Sequence, residues 1–96
     1  MAKYIMLINW TDQGIRTVKD SPKRADAARE VARKCGCELR KLYMTIGTYD
    51  LVAVLEGPND EAIARFALTV AAGGNVRTQT LKAFSEDSYR KIVGSL

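Results

Sequence analysis

The chain has 96 residues, a formal net charge of +4 and no histidine; 47% of its residues are hydrophobic and 27% charged. That balance describes a single globular domain over residues 1–96 and excludes a disordered or fibrous chain. No apolar run approaches the ~18 residues of a membrane span, and Met1-Ala2-Lys3 leads straight into a strand pattern, so a cytoplasmic protein without membrane contact is expected.

Lys3 to Trp10 reads as a strand, with Tyr4, Met6, Ile8 and Trp10 on one face and Ile5, Leu7 and Asn9 on the other. Thr11 is placed to cap a helical stretch over Asp12 to Lys19. Ser21 and Pro22 then supply an N-cap and a first helical residue for a segment running to Cys35. Ala25, Ala28, Val31, Ala32 and Cys35 form its inner stripe.

Cys35 and Cys37 flank a single glycine. A disulfide across so short a link is strained, and a tetrahedral metal site needs about two more ligands. With no histidine and no third cysteine, no metal is expected. Gly36 reads as a helix stop, and the thiols as small hydrophobes packed at the helix-to-strand joint.

Leu39 to Ile46 and Leu51 to Leu55 are strand-like arms of a hairpin. At its turn Gly47 can take a positive φ, and Asp50 can accept hydrogen bonds from unpaired backbone N–H groups. Gly57-Pro58-Asn59-Asp60 ends the second arm and opens a helix with Ile63, Phe66, Ala67 and Val70 facing inward; Gly73-Gly74 stops it. Val76 to Phe84 is a fourth strand, and Ser85 caps a short terminal helix with Tyr89 and Ile92 on one side.

The order is βαββαβ, an α+β ferredoxin-like unit with a four-stranded antiparallel sheet. The first and third strands are apolar on both faces and belong in the centre. The second, with Arg40 and Lys41, and the fourth, with Arg77, Gln79 and Lys82, belong at the edges, which gives spatial order 4-1-3-2. Two helices cover only one face of such a sheet. A second copy is the simplest cover for the other, so a homodimer of the dimeric α/β-barrel type, or a higher oligomer, is expected.

Arg16 to Lys34 carries seven basic residues against three acidic ones, which is the chain's whole formal excess of +4. Acids interrupt the run and no aromatics accompany it for base stacking. It reads as the solvated side of a helix, and no specific nucleic-acid partner is expected.

Without histidine there is no Ser-His-Asp or Cys-His pair, and no glycine-rich phosphate loop is present, so no cofactor is expected. Trp10, Asp12, Tyr43, Tyr49, Asp50 and Arg77 remain as a possible cluster at strand ends and hairpin. Two readings stay open. In the first, a non-enzymatic module binds a small anionic or zwitterionic organic molecule near the 47–50 hairpin through Trp10, Lys41, Tyr43, Tyr49 and Arg77, with Gly47 and Asp50 shaping the turn. In the second, a cofactor-independent lyase, cyclase or oxygenase acts on a small aromatic or keto compound in a pocket between sheet and helices, with Asp50 or Asp12 as base and Tyr49 donating to an enolate-like oxygen.

Gly47-Thr48-Tyr49-Asp50 entering an apolar strand resembles the signature of the GYD-domain family. Asn9-Trp10-Thr11-Asp12-Gln13-Gly14-Ile15, Asp20-Ser21-Pro22 and Gly74-Asn75-Val76-Arg77-Thr78 extend the likeness over most of the chain. The resemblance implies a ferredoxin-like unit that associates into dimers or larger oligomers. It brings no established substrate or catalytic residue.

Overall fold

Side-chain alternation along the first strand decides the architecture. In the computed structural model, which describes residues 1–96, β1 (Ala2–Trp10) turns Tyr4, Met6 and Ile8 into the core and leaves Ile5 and Leu7 half-buried on the opposite face. The other elements are α1 (Asp12–Arg16), α2 (Ser21–Lys34), β2 (Glu38–Met44), β3 (Leu51–Gly57), α3 (Asp60–Ala72), β4 (Val76–Ala83) and α4 (Glu86–Gly94). The sheet runs β2-β3-β1-β4 with every pairing antiparallel, the expected order read from the other edge.

The core lies between the sheet and the two long helices, where Met6, Leu55, Ala53, Ala32, Ile63 and Phe66 are almost wholly buried. Helix α3 enters it from an Asn59 N-cap, whose side chain accepts from the Ala62 N–H at 2.9 Å. Helix α2 leaves it through a Schellman closure: the Gly36 N–H donates to the Arg33 carbonyl and the Cys37 N–H to the Ala32 carbonyl, with Gly36 at φ +79°. That closure drops Cys37 into the core, where burial pushes its thiol pKa up.

Three local expectations are corrected. The helix after Thr11 stops at Arg16, and a 3-10 turn over Val18–Asp20 replaces its second half. The Arg24 guanidinium holds the Gly14 carbonyl at 3.2 Å and the Thr17 carbonyl at 3.1 Å, acceptors that a continuing helix would need. Ser21 is already helical, so the cap position of α2 falls on Asp20, whose side chain makes no capping bond, and Pro22 sits within the first turn. The arm of the hairpin ends at Met44 rather than Ile46, because residues 46–49 leave the ladder to form the turn and Ile46 is fully exposed.

Strand β2 also carries a bulge. Leu39 pairs with Leu55 and Lys41 with Val54, so Arg40 is the extra residue. Leu39 and Leu42, three apart, therefore both face the core.

The molecule measures 49 × 30 × 17 Å, and its radius of gyration of 14.3 Å exceeds the ~12.5 Å usual at this length. The extension comes partly from α4, whose Tyr89, Ile92 and Val93 remain about half exposed. No helix is long and apolar enough to cross a membrane.

Candidate functional site

The face of the sheet that carries no helix is built row by row from the strand register. Tyr43, Val52, Leu7 and Gln79 make one row, and Lys41, Val54, Ile5 and Leu81 the next. Its middle is apolar. Its edges are polar: Lys41 on β2, Arg77 and Gln79 on β4, and a corner where Glu56 sits 3.6 Å from Lys3 and 3.1 Å from Arg40. The carboxylates of Glu38 and Glu56 beside Arg40 raise the pKa of its guanidinium.

The hairpin closes one end of this face. The Asp50 N–H donates to the Ile8 carbonyl at 2.9 Å and to Asn9 Oδ1 at 3.1 Å, while Asp50 Oδ2 accepts the Trp10 N–H at 2.9 Å. Thr45 closes the turn from the other side, its N–H on the Asp50 carbonyl and its hydroxyl on the Tyr49 carbonyl. Tyr49 reaches across to β4, where its hydroxyl donates to Gln79 Oε1 at 3.0 Å. Gly47, at φ +140°, supplies the backbone geometry that an L side chain resists.

The residues singled out in the sequence are distributed unevenly over this frame. Tyr49 bonds Gln79 at the β4 side of the hairpin end, and Arg77 lies on that same side, opposite Asn9 and two residues before Gln79 on the same face. Lys41 and Tyr43 stand on the far edge strand. Three strand spacings, roughly 14 Å, separate them from β4, so within one copy Lys41 and Arg77 do not converge on one small anion. Arg77 and Lys41 have no acidic partner. One oxygen of Asp50 is committed to main chain, and Asp12 is exposed in the first turn of α1. Trp10 turns to the other side of the sheet.

That other side holds a cavity of about 250 Å³ between the sheet and helices α2 and α3. Met6, Trp10, Val31, Leu42, Phe66 and Val70 are among the residues of its mainly apolar wall, and Arg24 is its only ionisable group. A pocket at this place is what the enzymatic reading of the sequence expects, although Asp50, Asp12 and Tyr49, the residues that reading names, do not line it. The available signal was the alanine content of the inner stripe of α2, which leaves space between helix and sheet.

A second cluster was missed because it joins three elements. The Tyr4 hydroxyl donates to Asp60 Oδ1, Lys82 Nζ lies 3.6 Å from the same oxygen, and the Lys82 ammonium stands 5.3 Å above the Tyr4 ring centroid. The hydrogen bond to Asp60 pushes the Tyr4 pKa up from 10.0 to about 12, and the same bond, with Lys82, holds Asp60 below its ordinary value.

Comparison with known proteins places this geometry. The GYD-domain family model matches residues 4–93. A Thermus thermophilus protein named "Glutamine synthetase and cystathionine beta-lyase binding protein" is 34% identical over 84 residues, covering 86% of this chain and 88% of that one. Among solved structures, the Mycobacterium tuberculosis leucine response regulatory protein superposes with a TM-score of 0.63 at 19% identity, over 90% of this chain; the chain spans about half (54%) of that protein's length. FFRP-DM1 superposes with a TM-score of 0.59 at 18% identity, over 88% of this chain and 100% of its own. These two likenesses carry the ferredoxin-like fold. The sequence matches carry the family, and the chain belongs to the GYD-domain family.

Proposed function

We propose that this protein works by binding rather than by chemistry. It self-associates through the helix-free face of its sheet, as a dimer of the α/β-barrel type or a larger assembly. At the edge of that face, beside the 47–50 hairpin, it takes a small anionic or zwitterionic organic molecule. The observation that carries the reading is the apolar face itself: Ile5, Leu7, Val52, Val54 and Leu81 form one contiguous patch with nothing over it, bordered by the unpaired Arg77. A second sheet would bury on the order of 800 Å² per copy, enough for a stable interface.

The name of the Thermus relative supports binding as the mode of action, since it describes a protein that binds two enzymes. Here the exposed residues of α4 offer surface for a protein partner. The enzymatic alternative draws on the cavity beneath the helices. Its lining offers no carboxylate, imidazole, thiol or phenol to move a proton, which weighs toward binding.

Light scattering after gel filtration is the direct test. A mass of at least twice 10.6 kDa is expected, and Leu7→Asp should reduce it to one copy. A monomeric wild-type protein at micromolar concentration overturns the association. For the ligand, calorimetry with a panel of amino and keto acids should find a binder whose heat disappears in Arg77→Ala; heat that persists in that variant removes the hairpin edge as the site.

A further inference from the structure

The cavity beneath the helices lies on the opposite side of the sheet from Arg77 and has a chemistry of its own. Protein interiors ordinarily fill such space, because every atom facing a void loses its packing contacts. Here the space is left open by small residues: Ala25 and Ala28 on α2 face Ala53 on β3 across it. A dry apolar cavity of ~150 Å³ admits a benzene ring. At about 250 Å³ this one has room for a ring and a short chain.

Its polar groups are few and gathered at one end. Ser21 and Arg24 come from the first turns of α2, Asn75 immediately precedes β4 and Thr78 lies near its start, and Trp10 pairs with Val76 at the end of β1. Arg24 is held in place by neutral acceptors only: its Nη1 donates to the Thr17 carbonyl and hydroxyl at 3.1 Å, and its Nη2 to the Gly14 carbonyl at 3.2 Å. No carboxylate lies within ion-pair distance of it. A guanidinium has five N–H donors, so Arg24 keeps donors to spare and its charge is uncompensated. A fixed, half-buried cation at the polar end of an apolar chamber is suited to a ligand with one negative end and one apolar end.

We propose that this cavity binds a small aryl carboxylic acid, with its ring under α2 against Trp10 and Phe66 and its carboxylate on Arg24. The aromatic pair favours a ring, which can stack edge-on or offset against both side chains. Binding here does not depend on association through the other face of the sheet.

Trp10 is the chain's one tryptophan and lines the cavity, so its emission reports occupancy. Titration of the full chain with 4-phenylbutyrate should change that emission saturably, and 4-phenylbutan-1-ol should bind roughly tenfold or more weakly for want of the charge-assisted pair. Arg24→Gln should abolish the difference between acid and alcohol while keeping the alcohol's affinity. Ala28→Leu, which fills the chamber, should lose both ligands. The proposal is overturned if the wild-type emission does not saturate, if acid and alcohol bind alike, or if a folded Ala28→Leu titrates as the wild type does. Should Ala28→Leu not fold, the Arg24→Gln comparison decides by itself. Light scattering on the same samples reads association separately, so failure of one proposal is distinguishable from failure of the other.

Discussion

The Asp50 carboxylate accepts the main-chain N–H of Trp10, forty residues away in sequence, at 2.9 Å. The bond ties the hairpin to the end of the central strand. It also connects the two faces of the sheet, because Trp10 lines the cavity while the hairpin closes the open face. Asp50→Asn keeps the shape and loses the charge-assisted part of the bond, so a destabilisation on the order of 1–2 kcal/mol is expected. Thermal melts check it. Unchanged stability with intact mass removes the bracing role.

Gly47 isolates backbone strain from steric conflict. A Cβ built there meets nothing within 4 Å, yet φ is +140°. Gly47→Ala is expected to cost about 1–3 kcal/mol from conformation alone, and Gly47→Val at least as much. A melt within a degree of wild type would show that the turn relaxes freely.

Gly14 presents the reverse case. Its φ is ordinary, but a Cβ would stand 2.0 Å from the Asn75 carbonyl oxygen, which accepts the Thr11 N–H at 3.0 Å. Gly14→Ala must push α1 off the α3–β4 loop and should lower stability by about 1–3 kcal/mol. Gly94→Ala, in a helix with open space around it, should be neutral or stabilising by up to ~1 kcal/mol. The first melt should fall below wild type and the second should not.

The Tyr4–Asp60 pair sets an alkaline limit. Because the folded Tyr4 pKa lies at about 12 and the unfolded one near 10.0, the unfolded chain releases the phenolic proton first. The bond's contribution is full below pH 10 and is lost as pH rises toward 12. For Asp60 the folded pKa is depressed, so its contribution is present above its ordinary value of 3.8 and fades as pH falls through the lower folded value. Tyr4→Phe should flatten the alkaline slope in a series of denaturant melts; an unchanged slope assigns it to other groups.

Much of this fold is legible in the sequence because alternation reports burial directly. Tyr4, Met6 and Ile8 against Ile5 and Leu7 mark a central strand with two apolar faces, and Arg77, Gln79 and Lys82 mark an edge. The GYD turn was readable from Gly47 and Asp50, although the sequence does not show that the N–H received by Asp50 belongs to Trp10. What escaped reading depends on contacts between distant segments. Arg24 looks like one more surface charge in a basic run, yet its bonds to Gly14 and Thr17 end α1. Grouping Lys41 and Arg77 at one site conflicts with the order 4-1-3-2 itself, which is legible in the sequence and sets them on opposite edges. A pocket between sheet and helices belongs to the enzymatic reading, but its lining leaves only a trace in the alanines of α2, a pattern that tight helix packing would produce equally well.

On the proposed association, the bulge at Arg40 would bear on how large an assembly can grow. A bent edge strand that presents Arg40 and Lys41 is a poor template for another strand, and β4 brings Arg77 and Lys82 to the opposite border. Lateral addition, the route to open-ended fibres, is thereby discouraged at both margins. Two sheets that meet face to face, as proposed, would cover each other's central apolar patch. An irregularity of one residue thus works against open-ended strand addition at that edge.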